Sequence, residues 1–236
     1  MTAQSAPESW EHTRRVIVRN ALSIGLAVAT YGVSFGALGT TSGLTVAQTC
    51  ALSILMFTGG SQFALVSTIA AGGTGMAGIA AATLLGTRNA AYAMRLGPIL
   101  NSTGFSKIVA SQLTIDESTA MALAQDETTF EGRASRLGFW ATGLSVFVLW
   151  NLATLLGALA ATTIGDPKTF GLDAAIAAGL FALVWPQIKT KTHVIVACGA
   201  ALIALATTPI LSPGLPVLAA SIIAFVFGYA QRNEPT

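Results

Sequence analysis

No Asp, Glu, Lys or Arg occurs between Arg19 and Arg88. A wetted protein surface carries about a quarter charged residues, so no ordinary soluble fold is built from such an interval. A bilayer crossing takes ~20 residues, which leaves room there for about three helices. The whole chain agrees: charged residues make up 9% and hydrophobic residues 53%, and the mean hydropathy is +0.68. The apolar runs are continuous and do not alternate with period two, which argues against a transmembrane β-barrel. The sequence therefore reads as an all-α polytopic integral membrane protein with seven or eight transmembrane helices, some of them broken.

Residues 1–19 read as a cytoplasmic polar tail. They contain Glu8 and Glu11 and no apolar core ahead of Arg14, unlike a cleaved signal. Residues 20–231 read as one transmembrane transport domain, with segments at about 20–40, 45–70, 76–100, 105–125, 137–162, 170–188, 193–211 and 215–231. Residues 232–236 form a second short tail. Gly72-Gly73-Thr74-Gly75 and Gln125–Arg136 read as loops, and the third segment is expected to stop near Pro98. A net charge of +2 gives no reason to expect nucleic acid. Cys50 and Cys198 both fall in apolar runs and read as free buried thiols.

The basic residues decide the topology. With a cytoplasmic start and without a crossing at 105–125, Arg133, Arg136, Lys189, Lys191 and Arg232 all fall outside, which is the wrong bias. A crossing there moves them inside with Arg14, Arg15 and Arg19. Eight crossings with both termini cytoplasmic are therefore expected, in the inner membrane. A re-entrant segment in the first half restores the same parity. A weak internal repeat matches Phe35–Phe57 with Leu156–Trp185, through Gly36–Leu38 and Gly157–Leu159. Duplicated halves with broken helices are common in secondary transporters.

Polar residues inside apolar runs are the candidate site. Gly59-Gly60-Ser61-Gln62 either unwinds a helix and frees backbone groups for a solute, or lets a neighbouring helix approach. Arg88, Tyr92 and Arg95 share one helix face, with Asn89 beside them. An arginine at helix centre costs at least ~2.5 kcal/mol on insertion scales, so Arg88 calls for a buried partner or an anionic ligand. Arg95 lies near the helix end and reads as snorkelling to the interface. Asp116 and Glu117 read either as mates for Arg88 or proton carriers, or as first-turn acids of a helix capped by Thr114. Asp173 reads as a helix-start acid or as a coupling residue, and His193 as structural. There is no phosphate-binding Gly-x-x-x-x-Gly-Lys loop, no ligand-spaced metal cluster and no nucleophile elbow, so neither ATP hydrolysis, a metal cofactor nor enzymatic catalysis is expected.

FTGGSQF (Phe57–Phe63), RNAAYAMRLGPIL (Arg88–Leu100), LTIDES (Leu113–Ser118) and GLDAAIAAGLFALVWPQI (Gly171–Ile188) occur in the order of the AzlC family. The chain resembles the large subunit of its branched-chain amino acid exporters, also called the LIV-E or BrnF type, from about Asn20 to Gln231. Gly59, Gly60, Gln62, Arg88, Tyr92, Asp116 and Glu117 stand at matching motif positions. Gly86 and Asn89 depart from the polar residue and histidine common there, and Ile115 loosens the Thr-Asp-Glu element. The resemblance implies proton-driven export of leucine, isoleucine, valine and methionine. It also implies a small hydrophobic partner subunit of the AzlD or BrnE type; a homo-oligomer is compatible with it. A zwitterion suits the residues present: Arg88 or an exposed helix end for its carboxylate, Asp116 or Glu117 for its ammonium, and apolar walls for its side chain. The alternatives are a transporter of another small organic solute and a non-transporting membrane subunit.

Overall fold

The computed structural model describes residues 9–125, 129–163, 181, 185, 188–212 and 215–232. All regular structure among them is helical. α1 (Trp10–Thr41) is followed by two short helices, α2 (Val46–Leu55) and α3 (Gly60–Ala70), and by the long α4 (Gly75–Leu100). α5 (Gly104–Gln112) and α6 (Asp116–Leu123) are short again, and a 3₁₀ turn at Thr129–Gly132 leads into α7 (Arg133–Thr163). α8 (Lys191–Thr207) and α9 (Leu215–Arg232) pack on each other, and α9 also touches α4.

Among the described residues two helices, α1 and α7 with its preceding turn, are long and apolar enough to cross a membrane by length and composition. Both present apolar side chains outward. Leu22 and Leu26 on α1, and Leu144, Val148, Leu152 and Leu156 on α7, are exposed at helical spacing. Contiguous exposed apolar surface of this kind marks an interaction surface, here one suited to lipid.

Their inner faces are close-packed through glycine. Gly25 lies against Ser145, Gly32 against Trp150 and Ala153, and Gly36 against Thr154 and Ala158. The contacts climb both chains together, so α1 and α7 run parallel. At their starts Trp10 meets Phe130 edge-on, with ring centroids 5.3 Å apart, and the Arg133 guanidinium sits 4.5 Å above the Trp10 ring. If both helices cross, Arg14, Arg15, Arg19, Arg133 and Arg136 lie on one side, and an odd number of passes separates them. Gly36 and Gly157, the repeat glycines, meet at the same crossing: a side chain on Gly36 would strike the Thr154 carbonyl, and one on Gly157 that of Val33. The rest of the second repeat copy falls mostly outside the described residues, as do Asp173 and most of the expected segment 170–188.

The core lies between this pair and α3. Phe35 meets Phe63 at 5.5 Å and Trp150 at 6.1 Å, and both phenylalanines are fully buried. Aromatic contacts of this geometry add ~0.5–1.5 kcal/mol beyond their burial.

Four expectations need correction. Residues 10–19 are not irregular: they form the first turns of α1, and Ser9 caps the helix by accepting the His12 N–H. The segment 105–125 is not one helix: it breaks at Leu113–Ile115 into pieces of 9 and 8 residues. At 1.5 Å per residue neither spans ~30 Å of hydrocarbon alone. α4 runs through Pro98 and ends three residues later at Asn101, whose φ of 45° reverses the chain. Cys50 and Cys198 are free, but the first is half-buried and the second exposed.

Candidate functional site

Each broken helix leaves backbone groups that must be satisfied locally, because the last four carbonyls and first four N–H groups of a helix have no partner within it. α2 ends at Leu55, and α3 begins only at Gly60. Gly59 turns the chain between them at φ 61°, ψ −89°, a conformation that suits glycine. Gln62, fully buried, holds the turn together. Its Oε1 accepts the Gly59 N–H at 3.1 Å, and its Nε2 donates to the carbonyls of Ser53 at 3.3 Å and Leu52 at 3.4 Å. A third carbonyl of α2, that of Ile54, accepts from Gln112 Nε2 at 2.6 Å. Gln112 is the last residue of α5, so the two breaks are tied to each other.

The second break is capped from within. Ser118 Oγ accepts the Ile115 N–H at 3.1 Å and donates to the Leu113 carbonyl at 2.6 Å. Thr114 does not cap; its hydroxyl donates back to Ala110 at 2.8 Å. Asp116 and Glu117 form the first turn of α6, where the helix dipole favours acids.

Arg88 joins the two breaks. Its Nη2 donates to the Thr58 carbonyl in the first break at 3.1 Å and reaches Asp116 Oδ2 in the second at 3.1 Å. Asp116 thus both starts a helix and pairs with Arg88, without the expected Thr114 cap. About a third of each side chain remains exposed, 37% for Arg88 and 32% for Asp116, so the pair faces an open space. Tyr92, one turn along α4, lies beside the Asp116 carboxylate. Gly60 is the floor under the guanidinium: a Cβ there would stand 3.4 Å from Arg88 Nη2.

Several polar atoms in this region are shielded from solvent and lack a hydrogen bond among the described residues. They are Thr58 Oγ1, Ser61 Oγ, Arg88 Nε, Asn89 Oδ1 and Asp116 Oδ1. Buried polar groups are ordinarily paired, and such a cluster marks a place for water or a ligand. An open cleft of about 350 Å³ lies alongside, lined by Met56, Thr58, Ser61, Ala82, Gly86 and Thr87 among others. That volume falls in the ~300–1,000 Å³ range of small-molecule sites.

The family model AzlC, described as AzlC protein, matches residues 23–164. The chain belongs to the AzlC family. This is a transporter-type family, associated with branched-chain amino acid transport, and membership identifies a membrane protein. The match contains both helix breaks, Arg88 and Asp116. Comparison with curated proteins gave no match, and comparison with solved structures gave none.

Of the candidates in this AzlC chain, the structure brings together Gly59, Gly60, Ser61, Arg88, Tyr92 and Asp116. Gln62 sits among them, but its amide is spent on the backbone of the break. Glu117 is half-buried beside Asp116, and the Arg88 ion pair goes to Asp116. Arg95 is exposed near the end of α4. Sequence reasoning missed Thr58, whose carbonyl the break frees, and the cross-tie by Gln112. It also missed Ser118 as a cap, although its spacing after Ile115 was a readable signal.

Proposed function

We propose that this AzlC protein is a secondary exporter of branched-chain amino acids, coupled to protons and working with a small AzlD-type membrane subunit. The observation that carries the reading is Arg88 spanning the two helix breaks to reach Thr58 and Asp116. Discontinuous helices whose ends meet near the membrane midplane are how secondary transporters assemble a solute site. The site offers positive groups (Arg88 and the start of α3), a negative pair (Asp116 and Glu117) and apolar walls, which together suit a zwitterion with a hydrocarbon side chain. Asp116 and Glu117 carry the proton coupling.

The reading takes eight crossings. α2 with α3 makes one, α5 with α6 another, and the segment about 170–188 a third, beside α1, α4, α7, α8 and α9. The parallel run of α1 and α7 supports it, since three passes between them is an odd number. Both termini then lie in the cytoplasm with Arg14, Arg15, Arg19, Arg133 and Arg136, as the positive-inside bias requires.

The test is release of radiolabelled leucine from loaded cells with this chain and its small partner present or deleted together. Slower release on deletion, restored by returning both, is expected. Unchanged release rules the reading out. A second reading, transport of another small organic solute, is favoured by Gly86 and Asn89. A competition panel against labelled leucine separates the two.

A further inference from the structure

The site has two positive loci, and one of them is already engaged. Arg88 donates to Thr58 and is neutralised by Asp116. The start of α3 is not: the Gly59 N–H goes to Gln62, but the N–H groups of Gly60 and Ser61 have no acceptor among the described residues. A helix N-terminus carries about half a positive charge and presents its N–H groups to anions. Ser61 adds an independent sign of a ligand. Its side chain is 1% exposed, its Oγ has no hydrogen-bond partner among the described residues, and the residue lines the cleft. Thr58 Oγ1, on the same cleft, is likewise shielded and unpaired.

The Arg88 guanidinium also stands over Gly60, so it adds its field to the same point. The side-chain carboxylate of Asp116 reaches Arg88 through Oδ2. The acids of α6 meet the site at Arg88, through Asp116, and leave the N–H groups of Gly60 and Ser61 without an acceptor among the described residues, so an anion is favoured at the α3 side. Gly86 faces that point across the cleft: a Cβ there would come 3.5 Å from Ser61 Oγ, in ordinary contact. Glycine at this position leaves the space next to Ser61 open.

We infer that the first turn of α3, with Ser61 Oγ as a direct hydrogen-bond donor, binds the carboxylate of the transported solute, while Arg88 holds the two breaks together. This rests on the proposed solute site but assigns its anion-binding end to Ser61 and not to Arg88. The remaining cleft hydroxyls, Thr83 and Thr87 on α4, line the adjoining wall.

The test is equilibrium binding to the purified full-length protein together with its small partner subunit in lipid nanodiscs, with L-leucine, 4-methylpentanoate (its carboxylate without the ammonium) and isoamylamine (its ammonium without the carboxylate). Wild-type protein is expected to bind leucine and 4-methylpentanoate and to bind isoamylamine at least tenfold more weakly than leucine. Ser61→Ala is expected to weaken both carboxylate ligands at least tenfold. Gly86→Ala, which fits without collision, weakens them severalfold. Leucine binding unchanged by Ser61→Ala, or isoamylamine bound as well as leucine, overturns this assignment and leaves the transporter reading standing. Serine-dependent binding of 4-methylpentanoate without leucine binding supports the assignment and removes the amino acid reading. Failure of wild-type protein to bind either carboxylate overturns both.

Discussion

Glycine does opposite work in two regions of this molecule. Along α1 and α7, Gly25, Gly32, Gly36 and Gly157 stay helical and remove side-chain bulk, so that two long helices touch backbone to backbone. In the helix break, Gly59 has nothing within 4 Å of where its Cβ would be; it is there for its φ of 61°. Where these glycines make contact neither helix carries a charged residue, and both expose apolar side chains. The second gathers Arg88, Asp116 and a cluster of unpaired polar atoms. A membrane helix tolerates interruption where the freed backbone is buried in protein or lines a cavity, and here Gln62, Arg88 and Gln112 pair part of the freed groups. Small residues alone therefore do not mark a site. Small residues with a polar side chain able to pair the released backbone do.

The comparison can be broken first at the parallel pair. Gly36→Leu or Gly157→Leu drives a side chain into the opposing backbone, an overpacking cost of ~1–3 kcal/mol or more. The expected result is loss of most folded protein, read by size-exclusion profile of a fluorescent fusion. At the breaks the effects should separate from abundance. Arg88→Ala removes two charge-assisted contacts, each worth roughly 1.5–3 kcal/mol. Flux per folded molecule, normalised to membrane abundance, is expected to fall more than ~10-fold.

Smaller effects sharpen the contrast. Gly59→Ala meets no neighbour, so its cost is the strained backbone alone, roughly 1–3 kcal/mol. It should lower the melting temperature of the purified protein without the aggregation expected of Gly36→Leu. Gln112→Leu leaves the Ile54 carbonyl short of a partner, at about 1 kcal/mol. A flux reduction of severalfold at unchanged abundance is expected, measured in proteoliposomes. If Gln112→Leu alters only abundance, the tie between the breaks is structural and not functional.

Much of this architecture was legible because hydrocarbon-like runs and glycine pairs are blunt signals. Gly59-Gly60 announced the first break, and Arg88 its need for a partner. The second break was legible only in part: Asp116 and Glu117 pointed to a helix start, but Leu113-Thr114-Ile115 holds no glycine or proline to end the helix before it. It forms because Ser118 pairs the Ile115 N–H and Leu113 carbonyl from inside the next helix. α4 passed its expected stop: it forgoes the hydrogen bond from position 98 to the Met94 carbonyl and continues for two residues beyond Pro98, to the left-handed Asn101. The start of α1 hid behind its charges; Ser9 ahead of Trp10-Glu11 was a cap signal, outweighed by the polarity of residues 10–19. The roles of Gln62 and Gln112 were beyond the sequence, because which carbonyls an amide reaches depends on how two breaks are placed in space.

The central claim is that Arg88 and Asp116 join two broken helices into a solute site. It is tested most directly by leucine flux in cells expressing Arg88→Lys and Asp116→Asn with the small partner, at matched membrane abundance. The account predicts that both variants reach wild-type abundance and lose at least ~10-fold in flux, as expected for loss of a charge-assisted pair. Wild-type flux in either variant, or a loss that merely follows protein level, would contradict it.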